Sequence, residues 1–243
     1  MDIVDRHLDW DGCFNARDLG GIRAADGHQT RWGAVVRSDS PDHLTPAGWA
    51  ALRAHGVRTI VDLRNDRERQ AGATPRAAGL ATVHVPLDDH ADTEFWEYCR
   101  DNGLDGSPLY YLPFMERKPE LCAAAVAAVA HARPGGVLVH CGVGRDRTGL
   151  VALLLLALVG VAPDAIATDY ELSADRLRPL YASRGQDDQG PRIQELLARR
   201  NTSARAEVLA MLASVDVSAH LRSGGLADDG LATVRARLLG PGP

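Results

Sequence analysis

Residues 137–149 constrain what this chain can fold into more than any other stretch. They read Val-Leu-Val-His-Cys-Gly-Val-Gly-Arg-Asp-Arg-Thr-Gly. Val137, Leu138 and Val139 are apolar and β-prone, and an apolar run over 150–161 follows the loop at once. That run is too short to span a bilayer and polar on no side, so it reads as a helix buried all round. A strand, a tight loop and a core helix are the arrangement this order allows. Backbone N–H groups of such a loop, with the helix N-terminus behind them, form a concave anion site. Gly142 and Gly144 permit the backbone angles the concavity needs. Cys141 stands at the loop entrance, where a positive field favours its thiolate. Arg147, six residues on, carries a planar fork that holds two oxygens of a phosphate. A thiolate beneath a bound phosphate is the apparatus of covalent phosphoryl transfer.

In that reading Gly142, Val143, Gly144, Arg145, Asp146 and Arg147 bind the non-bridging oxygens. Cys141 attacks in line, and Thr148 hydrogen-bonds its sulfur as a leaving thiolate. His140 orients the loop through its backbone neighbours. Catalysis of this kind is mostly positioning and electrostatic stabilisation, so neither a metal nor another cofactor is expected.

The remaining sequence alternates strand and helix signals as far as 161. Strands are expected at 33–37, 57–63 and 81–86, with a shorter one near 10–14. Thr45-Pro46 caps and opens a helix that Gly56 stops. Short and Ala-rich helices are expected at 66–70 and 119–132. The pattern predicts an α/β fold with a mainly parallel central sheet of four to five strands and helices on both faces. Beyond 163 every segment reads as helical, with a break at 184–191. One domain is expected over 1–243: a catalytic core at 1–173, helices at 174–216, and closing helices at 217–243. Aromatic residues gather in 93–118 (Phe95, Trp96, Tyr98, Tyr110, Tyr111, Phe114), where they either line a pocket or cover the sheet. A net charge of −5 gives no support for nucleic-acid binding. Cys13, Cys99, Cys122 and Cys141 lack metal-ligand spacing, and a reducing cytoplasm suits a thiolate enzyme. The N-terminus carries no signal-peptide core; export by a specialised route stays open.

The string from His140 to Gly149 resembles the phosphate loop of the cysteine-dependent tyrosine phosphatase superfamily. It is most similar to a bacterial family whose loop usually reads His-Cys-x-x-Gly-Lys-Asp-Arg-Thr-Gly and which includes a secreted mycobacterial phosphatase of dual protein and phosphoinositide activity. Arg145 replaces the usual Lys. Asn15-Ala16-Arg17-Asp18-Leu19-Gly20-Gly21 resembles a second signature of that family, and Asp62-Leu63-Arg64 a third. Read from the residues alone, Arg17 and Asp18 pin a turn or contact the substrate, and Arg64 pairs with Asp66 or Glu68 at the surface or borders the site. The resemblance also implies a helical lid over 174–216, with plain packing against the sheet as the alternative, and a general acid. Asp146 in the loop is favoured by position, although Arg145, Arg147 and the helix N-terminus favour its ionised form. Asp88 and Asp89, in the acidic loop after the third strand, are the alternatives.

The reading that follows is a metal-independent phosphomonoesterase acting on phosphotyrosine in proteins, with dual specificity open. A phosphatase for a small molecule, such as a phosphoinositide or phosphorylated metabolite, is the second reading, and the doubled Arg145 and Arg147 suit it. A rhodanese-like sulfur transferase and a silent phosphate-binding module are the remaining ones.

Overall fold

Strands buried on both faces need apolar side chains on both, and the central strands here have them. The computed structural model describes residues 5–70 and 79–239. The sheet order is β1-β2-β5-β3-β4, with β1 (Arg17–Asp18), β2 (Val35–Ser38), β3 (Val57–Asp62), β4 (Ala81–His84) and β5 (Gly136–His140). β2, β5, β3 and β4 run parallel, and β1 pairs antiparallel with β2 at the edge. This is the expected α/β architecture. All of β5 is buried, so its C-terminal end delivers His140 and Cys141 to the centre of the sheet's ligand-facing rim.

The period of two separates the core into two clusters. Val35, Val61, Val137 and Val139 face one side, while Val36, Ile60 and Leu138 face the other. The second side is covered by α1 (Pro46–Ala54), whose N-cap Thr45 accepts from the Gly48 amide. The first side is covered by α5 (Pro119–Ala130), α6 (Asp146–Leu158) and α11 (Asp228–Leu239). From Thr148 to Leu156 every α6 side chain is buried. Each such leucine contributes about 1.5–3 kcal/mol by leaving water. Gly149 lets α6 approach its neighbours. A Cβ there would lie 2.8 Å from Tyr111 Oη and 3.1 Å from the Tyr170 ring.

One expectation is revised. Residues 10–14 form a turn, because Trp10 and Cys13 plug the cluster beneath α1 and the strand pairing passes to Arg17–Asp18. Helix α7 (Pro163–Ser183) runs unbroken through 173–174, since Tyr170, Ser173, Leu177, Leu180 and Tyr181 are buried along its length. The break falls after it, before α8 (Gly190–Arg199) and α9 (Ala204–Ser214). The aromatic segment folds as α3 (Thr93–Asp101) and α4 (Tyr111–Arg117), with α2 (Asp66–Gln70) earlier and α10 (Val217–Ser223) later. Phe95, Tyr110, Tyr111 and Phe114 enter the main core, whereas Tyr98 is exposed. Residues 1–4 and 240–243 of the expected terminal segments lie outside the described residues. Among the described residues no helix is long and apolar enough to cross a membrane.

Candidate active site

β5 ends at His140 and α6 starts at Asp146, so residues 141–145 make the turn between them. Gly144 has φ 74°, and a Cβ there would sit 2.3 Å from the Ser38 carbonyl oxygen, so only glycine fits. The loop carbonyls are engaged from outside. Gly142 O accepts from Ser40 N at 3.0 Å, and Val143 O from Asn15 Nδ2 at 3.0 Å. Arg37 Nη2 donates to Gly144 O at 2.9 Å and to Arg145 O at 3.4 Å. Tyr111 Oη donates to Asp146 O at 2.8 Å, and His140 Nδ1 lies 3.0 Å from Cys141 O. In a trans peptide the N–H points opposite to the C=O. Carbonyls held outward therefore turn the next amides to the other side, as a nest of donors.

Arg147 faces this nest with its guanidinium already oriented. Its Nη1 and Nη2 donate to Glu68 Oε2 and Oε1 at 2.5 and 2.7 Å. Nη1 also pairs with Asp88 Oδ2 at 2.8 Å. A guanidinium carries five N–H donors. These contacts take three and leave Nε–H with the second Nη2–H, a parallel pair matched to two phosphate oxygens. Burial works against the Arg147 charge, but Glu68, Cys141 and Asp88 outweigh it and hold Arg147 above the ordinary arginine range.

The three candidate acids differ in setting. Burial pushes the Asp88 carboxyl above the ordinary carboxylate range; Arg147 opposes this, and Glu68 and Asp146 add to it. Asp89 is turned away: Lys118 Nζ donates to it at 2.9 Å and holds it below that range. Asp146 is chelated by Arg145, Nε to Oδ1 at 3.0 Å and Nη2 to Oδ2 at 3.1 Å. Arg145 Nη2 also reaches Gly106 O and Gln189 Oε1, just before α8. The Arg145 side chain therefore links the loop to the start of α8. Cys141 is 2% exposed. Thr148 Oγ1 is buried and has no hydrogen-bond partner, which leaves its proton available to a nearby acceptor. His140 Nε2 lies 3.6 Å from Asp62 Oδ1, which wedges the ring beneath the loop.

Arg64 does not pair with Asp66 or Glu68 and is not at the surface. It is buried, bonded to Asp62 through Nε at 3.0 Å and Nη2 at 2.9 Å, and to Asp42 at 2.6 Å. It ties the end of β3 to the turn after β2. Arg17 and Asp18 lie behind the loop: Arg17 bonds Asp169, and Asp18 accepts from Gly20 N and Gly33 N. Sequence reasoning missed Glu68, Asn15 and Arg37. A signal existed for Glu68. Asn65 and Glu68 form a reciprocal cap at the start of α2, Asn65 Oδ1 to Glu68 N at 3.0 Å and Glu68 Oε2 to Asn65 N at 3.1 Å. That pattern announces a helix start and says nothing of the arginine its carboxylate meets.

A mainly parallel sheet that presents a cysteine inside a ring of amides, with an oriented arginine across from it, defines a cysteine-dependent phosphoryl-transfer enzyme. Residues 8–240 match the model of the tyrosine phosphatase family, and the chain belongs to that family. A Cupriavidus necator protein named as a candidate tyrosine-protein phosphatase is 32% identical over 179 residues, 72% of this chain and 66% of its own length. The triple specificity protein phosphatase PtpB of Mycobacterium tuberculosis is 31% identical over 228 residues, 82% of this chain and 77% of PtpB. A tyrosine-protein phosphatase of Nostoc commune is 29% identical over 232 residues, 84% of this chain and 74% of its own. Family membership stands against the sulfur-transferase reading.

Proposed function

We propose that the chain hydrolyses phosphomonoesters of proteins, phosphotyrosine first among them, through a phosphocysteine intermediate. The observation that carries this is the set of loop carbonyls tied outward around Cys141, opposite the free edge of Arg147. Substrate phosphate enters the nest, and the Arg147 edge chelates two of its oxygens. The Cys141 sulfur attacks phosphorus in line, the P–O bond to the leaving group breaks, and Asp88 gives the leaving oxygen its proton. Water then attacks the phosphocysteine while Asp88 takes a proton back, and the S–P bond breaks to return the thiolate and inorganic phosphate. Thr148 donates to that sulfur. Asp88 suits the acid role because its carboxyl is desolvated beside Arg147. Asp146 is committed to Arg145 and serves the loop's link to α8. Glu68 orients Arg147. The relative named as a triple specificity phosphatase supports a range wider than one phosphorylated residue. The four cysteines are free thiols, which suits a reducing, cytoplasmic setting.

The test is turnover of p-nitrophenyl phosphate in the presence of a chelator, together with acid-quench trapping of labelled phosphate on the protein. Wild type should turn over, be inhibited by vanadate and trap label. Cys141→Ser should lose turnover and label yet still bind phosphate. Retention of more than a few per cent of activity in Cys141→Ser refutes the assignment. A panel of phosphopeptides, phosphoinositides and sugar phosphates ranks the substrate class.

A further inference from the structure

Behind the loop lies a buried polar cluster that the mechanism leaves unused. Asp169 of α7 is 1% exposed and meets three arginines: Arg6 Nη2 at 2.7 Å, Arg37 Nη1 at 2.8 Å and Arg17 Nε at 3.2 Å. Arg17 and Arg37 are fully buried. Burial pulls Arg17 below the ordinary arginine range, and the Arg37 charge adds to it. A tie between β2 and α7 did not require this, since apolar side chains of similar volume pack such a place at no greater cost.

Two members of the cluster reach the loop. Arg37 spans the Gly144 and Arg145 carbonyls. Asn15 is oriented by Arg17, whose Nη1 donates to Asn15 Oδ1 at 2.6 Å, and this directs Asn15 Nδ2 at the Val143 carbonyl. Three consecutive peptide planes are therefore held by donors tied to Asp169, Arg37 directly and Asn15 through Arg17. We propose that Asn15 and Arg37, clamped by Asp169, are positioning residues of the phosphate loop. They keep the amides of residues 144–146 facing the substrate phosphate, and the Arg37 charge polarises those amides toward it. Unheld, each plane could rotate and present a carbonyl oxygen to an anion. The inference rests on the phosphatase reading of Cys141 and Arg147, and it assigns a task to the Asn15 position of the N-terminal signature.

The test separates positioning from structural support. Arg37→Met removes the donors and one of three like charges, while Asp169 keeps Arg6 and Arg17. The melting temperature should fall only modestly, since Asp169 stays paired and only the loop carbonyls lose a donor. Competitive inhibition by inorganic phosphate should weaken at least about tenfold, with kcat for p-nitrophenyl phosphate falling by a similar factor, because a charge-assisted contact to the loop is lost. Arg37→Lys should recover part of the phosphate affinity. Asn15→Ala, which changes no charge, should weaken phosphate binding in the same direction at temperatures well below its melting point. Wild-type phosphate affinity in both Arg37→Met and Asn15→Ala, beside normal wild-type turnover, overturns this inference alone. A wild-type protein without vanadate-sensitive turnover overturns the phosphatase reading and this inference together.

Discussion

Glu68→Gln is the most informative single change in the site. Four donors converge on this carboxylate: Arg147 Nη1 and Nη2, and the backbone N and Nδ2 of Asn65. Three of them meet Oε2. A glutamine keeps that arrangement only by placing its oxygen at the Oε2 position. Its NH2 then faces Arg147 Nη2, so one charge-assisted bond becomes a donor facing a donor. Such a bond is worth about 1.5–3 kcal/mol. The Glu68 side chain is 32% exposed and that of Arg147 15%, so solvent screens the pair and the lower end applies, about 1.5–2 kcal/mol. That corresponds to roughly a 10–30-fold loss in kcat/KM if Arg147 must be held at this angle to chelate phosphate. Steady-state kinetics on p-nitrophenyl phosphate, with phosphate inhibition measured on the same preparation, read the effect. Burial opposes the Glu68 charge, but the Arg147 bonds win and hold its carboxyl below the ordinary range, so wild type keeps the pair throughout neutral pH. An unchanged kcat/KM would refute the reasoning. So would tighter phosphate binding, which would mean that Glu68 competes with phosphate for the fork instead of aiming it.

Three further outcomes follow from the site. Arg147→Lys keeps the charge but loses the parallel donor pair, and substrate affinity and turnover should each fall at least about tenfold; near-normal kinetics contradict the chelating role. Asp88 must be protonated to act, and its raised pKa keeps it so to higher pH than an ordinary aspartate, so activity is lost as pH rises through that pKa. Asp88→Asn should remove this basic limb and slow phenyl phosphate by about 10²-fold or more while sparing activated aryl esters. If Asp146→Asn does so instead, the acid lies in the loop. Leu197 is the one buried side chain of α8, so Leu197→Ala should raise hydrogen exchange of that helix and change kcat/KM for bulky phosphopeptides more than for p-nitrophenyl phosphate. Equal effects on both substrates count against a lid.

The local chemistry was legible along the chain because it depends on neighbours in sequence. An apolar strand, glycines in a tight loop and an apolar helix specify their own backbone conformations, so residues 137–158 could be read in order, as could the parallel sheet from the alternation of elements. The capping Thr45 and the stop at Gly56 belong to the same class. What the sequence left open was every contact between distant segments. Asp88 and Asp89 are adjacent and chemically identical, yet one is desolvated against Arg147 and the other is held outward by Lys118. Arg64 sits two residues from Asp66 and four from Glu68, but the end of β3 turns it inward to Asp62 and Asp42. Arg145 reads along the chain as a second phosphate ligand, and only the packing of α8 brings its side chain to Gln189. Asn15, Arg37 and Asp169 lie far apart along the chain, and nothing in their spacing connects them to one loop. Their roles depend on which side chains share a dry volume, where charge and hydrogen-bond partners count most, and only the packing of α7 against the sheet decides that.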